Sequence, residues 1–152
     1  MTAFQPTDPG YAERVRASFG RQGIMTLLGA RLAHVAPGEV RIELPFRADL
    51  SQQHGLFHAG VTSTIADSAG GYAGFTLFPA GASVLTVEFK INLLAPAKGD
   101  RLVATGRVIK PGRTLTVCNL EVDVLDGERA TPCAYGLQTL ICLQGRPDTS
   151  YC

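Results

Sequence analysis

A short polar run, Gln52-Gln53-His54, precedes His58 and then a lone acid, Asp67. His58 stands where a helical pattern begins, and Asp67 falls inside that helix about two turns on. The first four N–H groups of a helix have no partner within it, and the helix dipole adds partial positive charge there. Such groups can polarise a carbonyl oxygen and stabilise an oxyanion. A carboxylate at a nearby crevice can activate water against the carbonyl carbon. A helix start paired with a carboxylate therefore fits acyl transfer to water. Each residue also has a plainer reading. Asp67 could be a solvated position on an amphipathic helix, His58 a helix cap and Gln52 an ordinary loop residue. His34 and His54 carry no special role.

The elements that must position these residues follow from periodicity. Tyr11, Val15, Phe19, Ile24, Leu27 and Leu28 predict helix over residues 11–29, broken in two by Gly20 and Gly23. Arg31–Val35 and Glu39–Leu44 read as short strands around the turn Ala36-Pro37-Gly38. After a loop to Phe57, a second helix is expected from Ala59 to about Leu77. It contains Gly60, Gly70, Gly71 and Gly74, each costing roughly 1 kcal/mol against alanine in a helix interior. Packing must offset that cost, and a helix so short of side-chain bulk can be approached closely by a sheet curled around it. Its apolar stripe is Val61, Ile65, Ala69 and Tyr72.

Four further strands are predicted: Val84–Leu93, Arg101–Lys110, Thr114–Leu125 and Ala130–Leu143. The first has the cleanest alternation in the chain, apolar at Leu85, Val87, Phe89, Ile91 and Leu93. In Thr114–Leu125 the apolar parity switches from odd to even, which predicts a β-bulge near Cys118-Asn119. The fold class is α+β, an antiparallel sheet wrapped around a central Gly-rich helix. Residues 11–145 form the single domain, with a flexible lead at 1–10 and a tail at 146–152.

The 152 residues suit one core. A net charge of +1 without a basic stripe argues against nucleic acid. No apolar run approaches the ~18 residues that would span a bilayer, and the opening Met1-Thr2-Ala3-Phe4-Gln5-Pro6 lacks the features of a secretory leader. A cytoplasmic location without membrane partners is expected. Cys118, Cys133, Cys142 and Cys152 match neither zinc-site nor redox spacing, so reduced and mostly buried thiols are expected, with Cys152 frayed.

Gln52-Gln53-His54-Gly55-Leu56-Phe57-His58-Ala59-Gly60 followed by Thr64-Ile65-Ala66-Asp67 resembles the motif of the phenylacetate-type (PaaI-like) thioesterases of the hotdog fold. Gln52 stands six positions before His58, and His58 nine positions before Asp67, as in that motif. Val87 to Asp100 resembles the family's long central strand with its exit turn, and Gly112-Arg113-Thr114-Leu115 its next turn. The likeness runs from about Val35 to Leu143.

It implies an acyl-CoA thioesterase in which Asp67 is general base or nucleophile and Gln52 holds the water or thioester. The Ala59 N–H would meet the thioester carbonyl, and Thr86 would assist. Ala59 stands where the family has the first glycine of His-Gly-Gly, but it still supplies an N–H. His58, Gly60, Leu56, Phe57 and Tyr72 would border the substrate, while Lys90 and Arg113 are candidates for coenzyme A phosphates. The resemblance also implies no metal or other cofactor, coenzyme A being part of the substrate. It implies a homodimer, assembled as a dimer of dimers, with sites shared between chains. The alternatives are a non-catalytic acyl-CoA-binding protein or sensor and a hotdog dehydratase or hydratase. A transcriptional sensor would need a basic DNA-binding segment, and the first 30 residues hold only three arginines. A dehydratase pairs a histidine with a carboxylate close in sequence.

Overall fold

The structure is a computed structural model and describes residues 4–149. The first helical stretch is divided at Gln22 into α1 (Tyr11–Arg21) and α2 (Gly23–Leu28), and Gly29 closes α2 in the left-handed conformation at φ 75°. Strands β1 (Arg31–Ala36) and β2 (Glu39–Pro45) follow, then a 3-10 turn at Ala48–Leu50. The central helix α3 spans Ala59–Phe75. The chain ends in β3 (Ser83–Leu93), β4 (Arg101–Lys110), β5 (Leu115–Asp126) and β6 (Arg129–Leu143). Cys152 lies outside the described residues, while Cys118, Cys133 and Cys142 are free and buried.

All six strands form one antiparallel sheet in the order β1-β2-β4-β5-β6-β3. The sheet wraps α3, whose residues from Ile65 to Phe75 are buried except for Asp67. The glycines explain how the sheet comes so close. A Cβ at Gly70 would overlap Gln138 Oε1 and Leu120 Cδ2, and one at Gly74 would overlap Leu140 Cδ1. From the other side, a Cβ at Gly106 of β4 would overlap the backbone of Ala69 and Gly70. Burial of Ile42, Leu44, Leu102, Leu120 and Leu140 against the helix offsets the propensity cost of its glycines, at about 25 cal/mol per Å² of apolar surface.

Two expectations about the strands need correction. Strand β5 has no parity switch: Thr116, Cys118, Leu120, Val122 and Val124 are buried in unbroken alternation. The register shift in this region lies in the facing strand, between Val108 and Lys110 of β4. Leu115 and Val117 mimicked a switch because they are apolar residues on the outer face, Leu115 half-exposed.

Strand β3 does change face. Its register against β6 shifts between Thr86 and Glu88. Thr86 pairs with Leu140, whereas Phe89 pairs with Gln138 and Leu93 with Ala134. Directly opposed residues share a face, so the helix side of β3 passes from even to odd positions at this bulge. The apolar alternation from Leu85 to Leu93 is therefore not one buried face. Leu85, Val87, Phe89 and Leu93 are between 39% and 57% exposed in the single chain, on a strand whose second edge has no partner among the described residues.

Candidate active site

His58 is the N-cap of α3, with extended backbone dihedrals and its Nδ1 accepting from the Gly60 N–H at 2.9 Å. That bond fills one of the four unpartnered donors of the first turn, and the Val61 and Thr62 N–H groups reach the His58 carbonyl. The Ala59 N–H makes no hydrogen bond among the described residues and is exposed. It is thus an available donor at the positive end of the helix. Nearby, Gln52 folds over a tight turn, its Oε1 accepting from the His54 N–H and its carbonyl from the Gly55 N–H. Gln52, Leu56, Phe57 and Ala59 line one small cavity of about 160 Å³ beside the Leu93–Ala97 stretch. Phe57 is nearly fully buried and packs edge-on against Phe46 at 5.1 Å, so it serves as wall and core together.

Asp67 lies elsewhere. Thr86 donates its hydroxyl to Asp67 Oδ1 at 2.7 Å, bringing a β3 residue against α3. The bulge immediately after Thr86 belongs to this arrangement, since bulges re-aim side chains. A second donor comes from outside the sequence motif. Gln138 of β6 gives its Nε2 to Asp67 Oδ1 at 2.6 Å, with the Asp67 carbonyl at 3.0 Å and Thr86 Oγ1 at 3.1 Å also in reach. Gln138 is 1% exposed. Its Oε1 has no hydrogen-bond partner among the described residues and is backed by Gly70, where any side chain would overlap it. The sequence did carry a signal for Gln138. It is a large polar residue in the buried phase of β6, between Ala134 and Gly136 on one side and Leu140 and Cys142 on the other, and glutamine is rarely buried without a task.

One carboxylate oxygen is therefore immobilised by two side chains, while Oδ2 makes no hydrogen bond among the described residues. Asp67, Thr86 and Tyr72 border the larger cavity, about 500 Å³, between α1, α3 and the start of β3. Arg14 fixes α1 there. Its guanidinium donates to the carbonyls of Phe75, Phe78 and Pro79 at the end of α3 and stacks over the Phe75 ring at 4.4 Å. The break at Gln22 turns that side chain toward α3, where Ser68 Oγ donates to Gln22 Oε1 at 3.1 Å.

One chain thus gathers Gln52, Ala59, Leu56 and Phe57 into one cavity and Asp67, Thr86 and Tyr72 into another. Ala59 and Asp67 are eight positions apart in α3, about 12 Å along the axis. The helix-start donor and the carboxylate thus border different cavities of one chain. Lys90 and Arg113 are exposed and border neither cavity.

The chain matches the model of the thioesterase superfamily over residues 54–131. It is similar to an esterase-like protein of Halobacterium salinarum, 30% identical over 137 residues, covering 84% of this chain and 89% of that one. Human acyl-coenzyme A thioesterase 13 is 30% identical over 92 residues, 60% of this chain and 65% of that protein. A crystal structure of a thioesterase family protein from Silicibacter pomeroyi superposes with a TM-score of 0.88 at 47% identity, covering 90% of this chain and all of that one. With the six-stranded antiparallel sheet wrapped on α3, these matches make the chain a member of the thioesterase superfamily, a thioester hydrolase of the hotdog fold.

Proposed function

We propose that this enzyme hydrolyses acyl-CoA thioesters, with Asp67 as the carboxylate that activates water. The observation that carries this reading is the clamp on Asp67. Thr86 and Gln138 hold Oδ1 and leave Oδ2 free at the wall of a cavity. A carboxylate held in this way keeps one basic oxygen in a constant orientation, which positional catalysis requires. Gln138 joins the residues named from the sequence as a positioning residue. The similarity to human acyl-coenzyme A thioesterase 13 supports coenzyme A as the carrier, with Lys90 and Arg113 kept as its phosphate contacts. No metal or further cofactor is part of the reading, and the enzyme works in the cytoplasm.

The water is activated by Asp67 Oδ2 and attacks the thioester carbon. The oxyanion is met by the Ala59 N–H at the α3 start, beside Gln52. Because Ala59 is about 12 Å from Asp67 along the helix of one chain, and Gln52 lines the other cavity with Ala59, this half of the site comes from a second copy. The unpaired edge of β3 supports this assembly. It is eleven residues long, and its apolar side chains at Phe89 and Leu93 face the helix side yet remain exposed. Two such strands pairing across a two-fold axis give a dimer with two identical sites.

Asp67→Asn tests the core of the reading. It preserves shape and removes the base, so CoA release followed with a thiol reagent should fall by about 10²–10⁴, with an unchanged circular dichroism spectrum. Retention of more than about a tenth of the rate rules Asp67 out as the base.

A further inference from the structure

Part of the wall of the larger cavity comes from neither α3 nor the sheet. Asp148 and Thr149, in the segment after β6, line it together with Asp67, Gly71 and Thr86. The course of that segment follows from its residues. Strand β6 ends at Leu143, beside Ser83 at the start of β3. Gly145 then takes the left-handed conformation at φ 69°, which turns the chain off the sheet. Pro147 restricts the backbone just before Asp148. Residues 145–149 thereby pass from the β3 side of the cavity to the end of α1. Gly145, Arg146, Pro147 and Thr149 are exposed, so the segment stands between the cavity and solvent.

One side chain holds it there. Arg21 Nη2 donates to Asp148 Oδ2 at 2.6 Å and to the Asp148 carbonyl at 2.7 Å. The same guanidinium is anchored on its own helix, where Nη1 donates to the Ala17 carbonyl at 3.1 Å. Among the described residues, no other hydrogen bond joins 145–149 to an element beyond β6. The Arg146 and Thr149 N–H groups reach only the nearby carbonyls of Leu143 and Pro147. The segment adds no residue to the buried core among the described residues. The opposite rim differs, because Gln22 is tied to Ser68 and Ser18 to Tyr72, between helices that Arg14 fixes. The Arg21 side chain is half-exposed, and an ion pair so open to water favours its closed form by only about two- to fivefold. Residues 145–149 can therefore leave the wall without disturbing the core.

We infer, resting on the Asp67 reading, that residues 145–149 form a strap across the mouth of the Asp67 cavity, latched by Arg21 and Asp148, and that substrate enters when the latch opens. Only the open fraction binds, so the latch lowers apparent affinity by that fraction. Because the latch is a pair of exposed charges, ionic strength shifts it.

The test uses the full chain and hexanoyl-CoA, with turnover followed by thiol release. Asp148→Asn and Arg21→Gln should each lower KM about two- to fivefold with kcat unchanged. The double variant should do no more than either alone, since both cut the same tie. Raising salt from about 0.05 to about 0.5 M should narrow the gap between wild type and variants, because only the wild type has a pair to screen. A second readout needs no substrate. A Cβ at Gly71 would meet nothing within 4 Å, so Gly71→Cys places a thiol inside the cavity behind the strap. In a Cys152→Ser background, labelling of that thiol by iodoacetamide should quicken about two- to fivefold when Asp148→Asn is added. Labelling unchanged by Asp148→Asn overturns the strap. Labelling that quickens while KM stays or rises overturns its control of substrate entry. Neither result touches Asp67. A wild type that leaves hexanoyl-CoA intact, or Asp67→Asn at the wild-type rate, brings down the underlying reading instead, and the labelling still reports the latch.

Discussion

Gly70 and Gly71 are neighbours in sequence and should respond oppositely to alanine. At Gly71 the new methyl meets nothing within 4 Å, so the helix keeps the full propensity gain of roughly 0.5–1 kcal/mol. In a domain of this size that raises Tm by about 1–4 °C. At Gly70 the methyl overlaps Gln138 Oε1 and Leu120 Cδ2. Gln138 cannot swing aside freely, because its amide is tied to Asp67 and Thr86. Overpacking costs about 1–3 kcal/mol, and a buried hydrogen bond to a charged group is worth about 1.5–3 kcal/mol. With both costs counted and the helix gain subtracted, Gly70→Ala should lose about 1.5–5.5 kcal/mol, lowering Tm by about 3–22 °C. It should also lose turnover, because the clamp on Asp67 loosens. Thermal unfolding by circular dichroism and a thiol-release assay measure both effects. If the two variants shift Tm in the same direction by similar amounts, the packing argument for α3 is wrong.

Gln138→Leu removes the buried donor while retaining bulk, and should cut kcat about 10- to 100-fold with little change in KM, read from steady-state kinetics. Gln138→Glu places a second carboxylate against Asp67; the pair cannot both ionise readily, so the acid limb of the pH–rate profile should move up by about one unit or more. A residue of merely structural importance would leave that limb in place. Ala59→Pro deletes the proposed oxyanion donor and should cost roughly 2.7–4 kcal/mol of transition-state stabilisation, whereas Ala59→Gly should be tolerated; an active, folded proline variant sinks the helix-start donor. Inactive Gln52→Ala and Asp67→Asn chains, co-refolded in equal amounts, should form about half mixed dimers and recover about a quarter of wild-type activity. A mixture that stays inactive although mixed dimers form would place Gln52 and Asp67 in one chain's site or remove one of them from it.

Local pattern carried much of the architecture. The break near Gly20–Gly23, the start of α3 at Ala59 and the range of β4 emerge as the spacing of apolar residues and turn signals implies, because these depend on neighbours a few residues apart. The placement of Asp67 two turns into a helix, after a cap at His58, is local in the same sense. What the tertiary structure alone decided is long-range. Strand β3 follows α3 in the chain but docks beside β6 at the sheet edge, and pairing between distant segments leaves no trace in either segment's own periodicity. The bulge after Thr86, the true site of the β4 irregularity and the outer-face position of Leu115 are matters of register between strands. Gln138 reaches Asp67 across 71 residues of sequence. The difference between Gly70 and Gly71 likewise depends on what the sheet sets above each one. A helix pattern records that both lack side chains; only the packed structure distinguishes the glycine pressed against Gln138 from the one that faces a cavity.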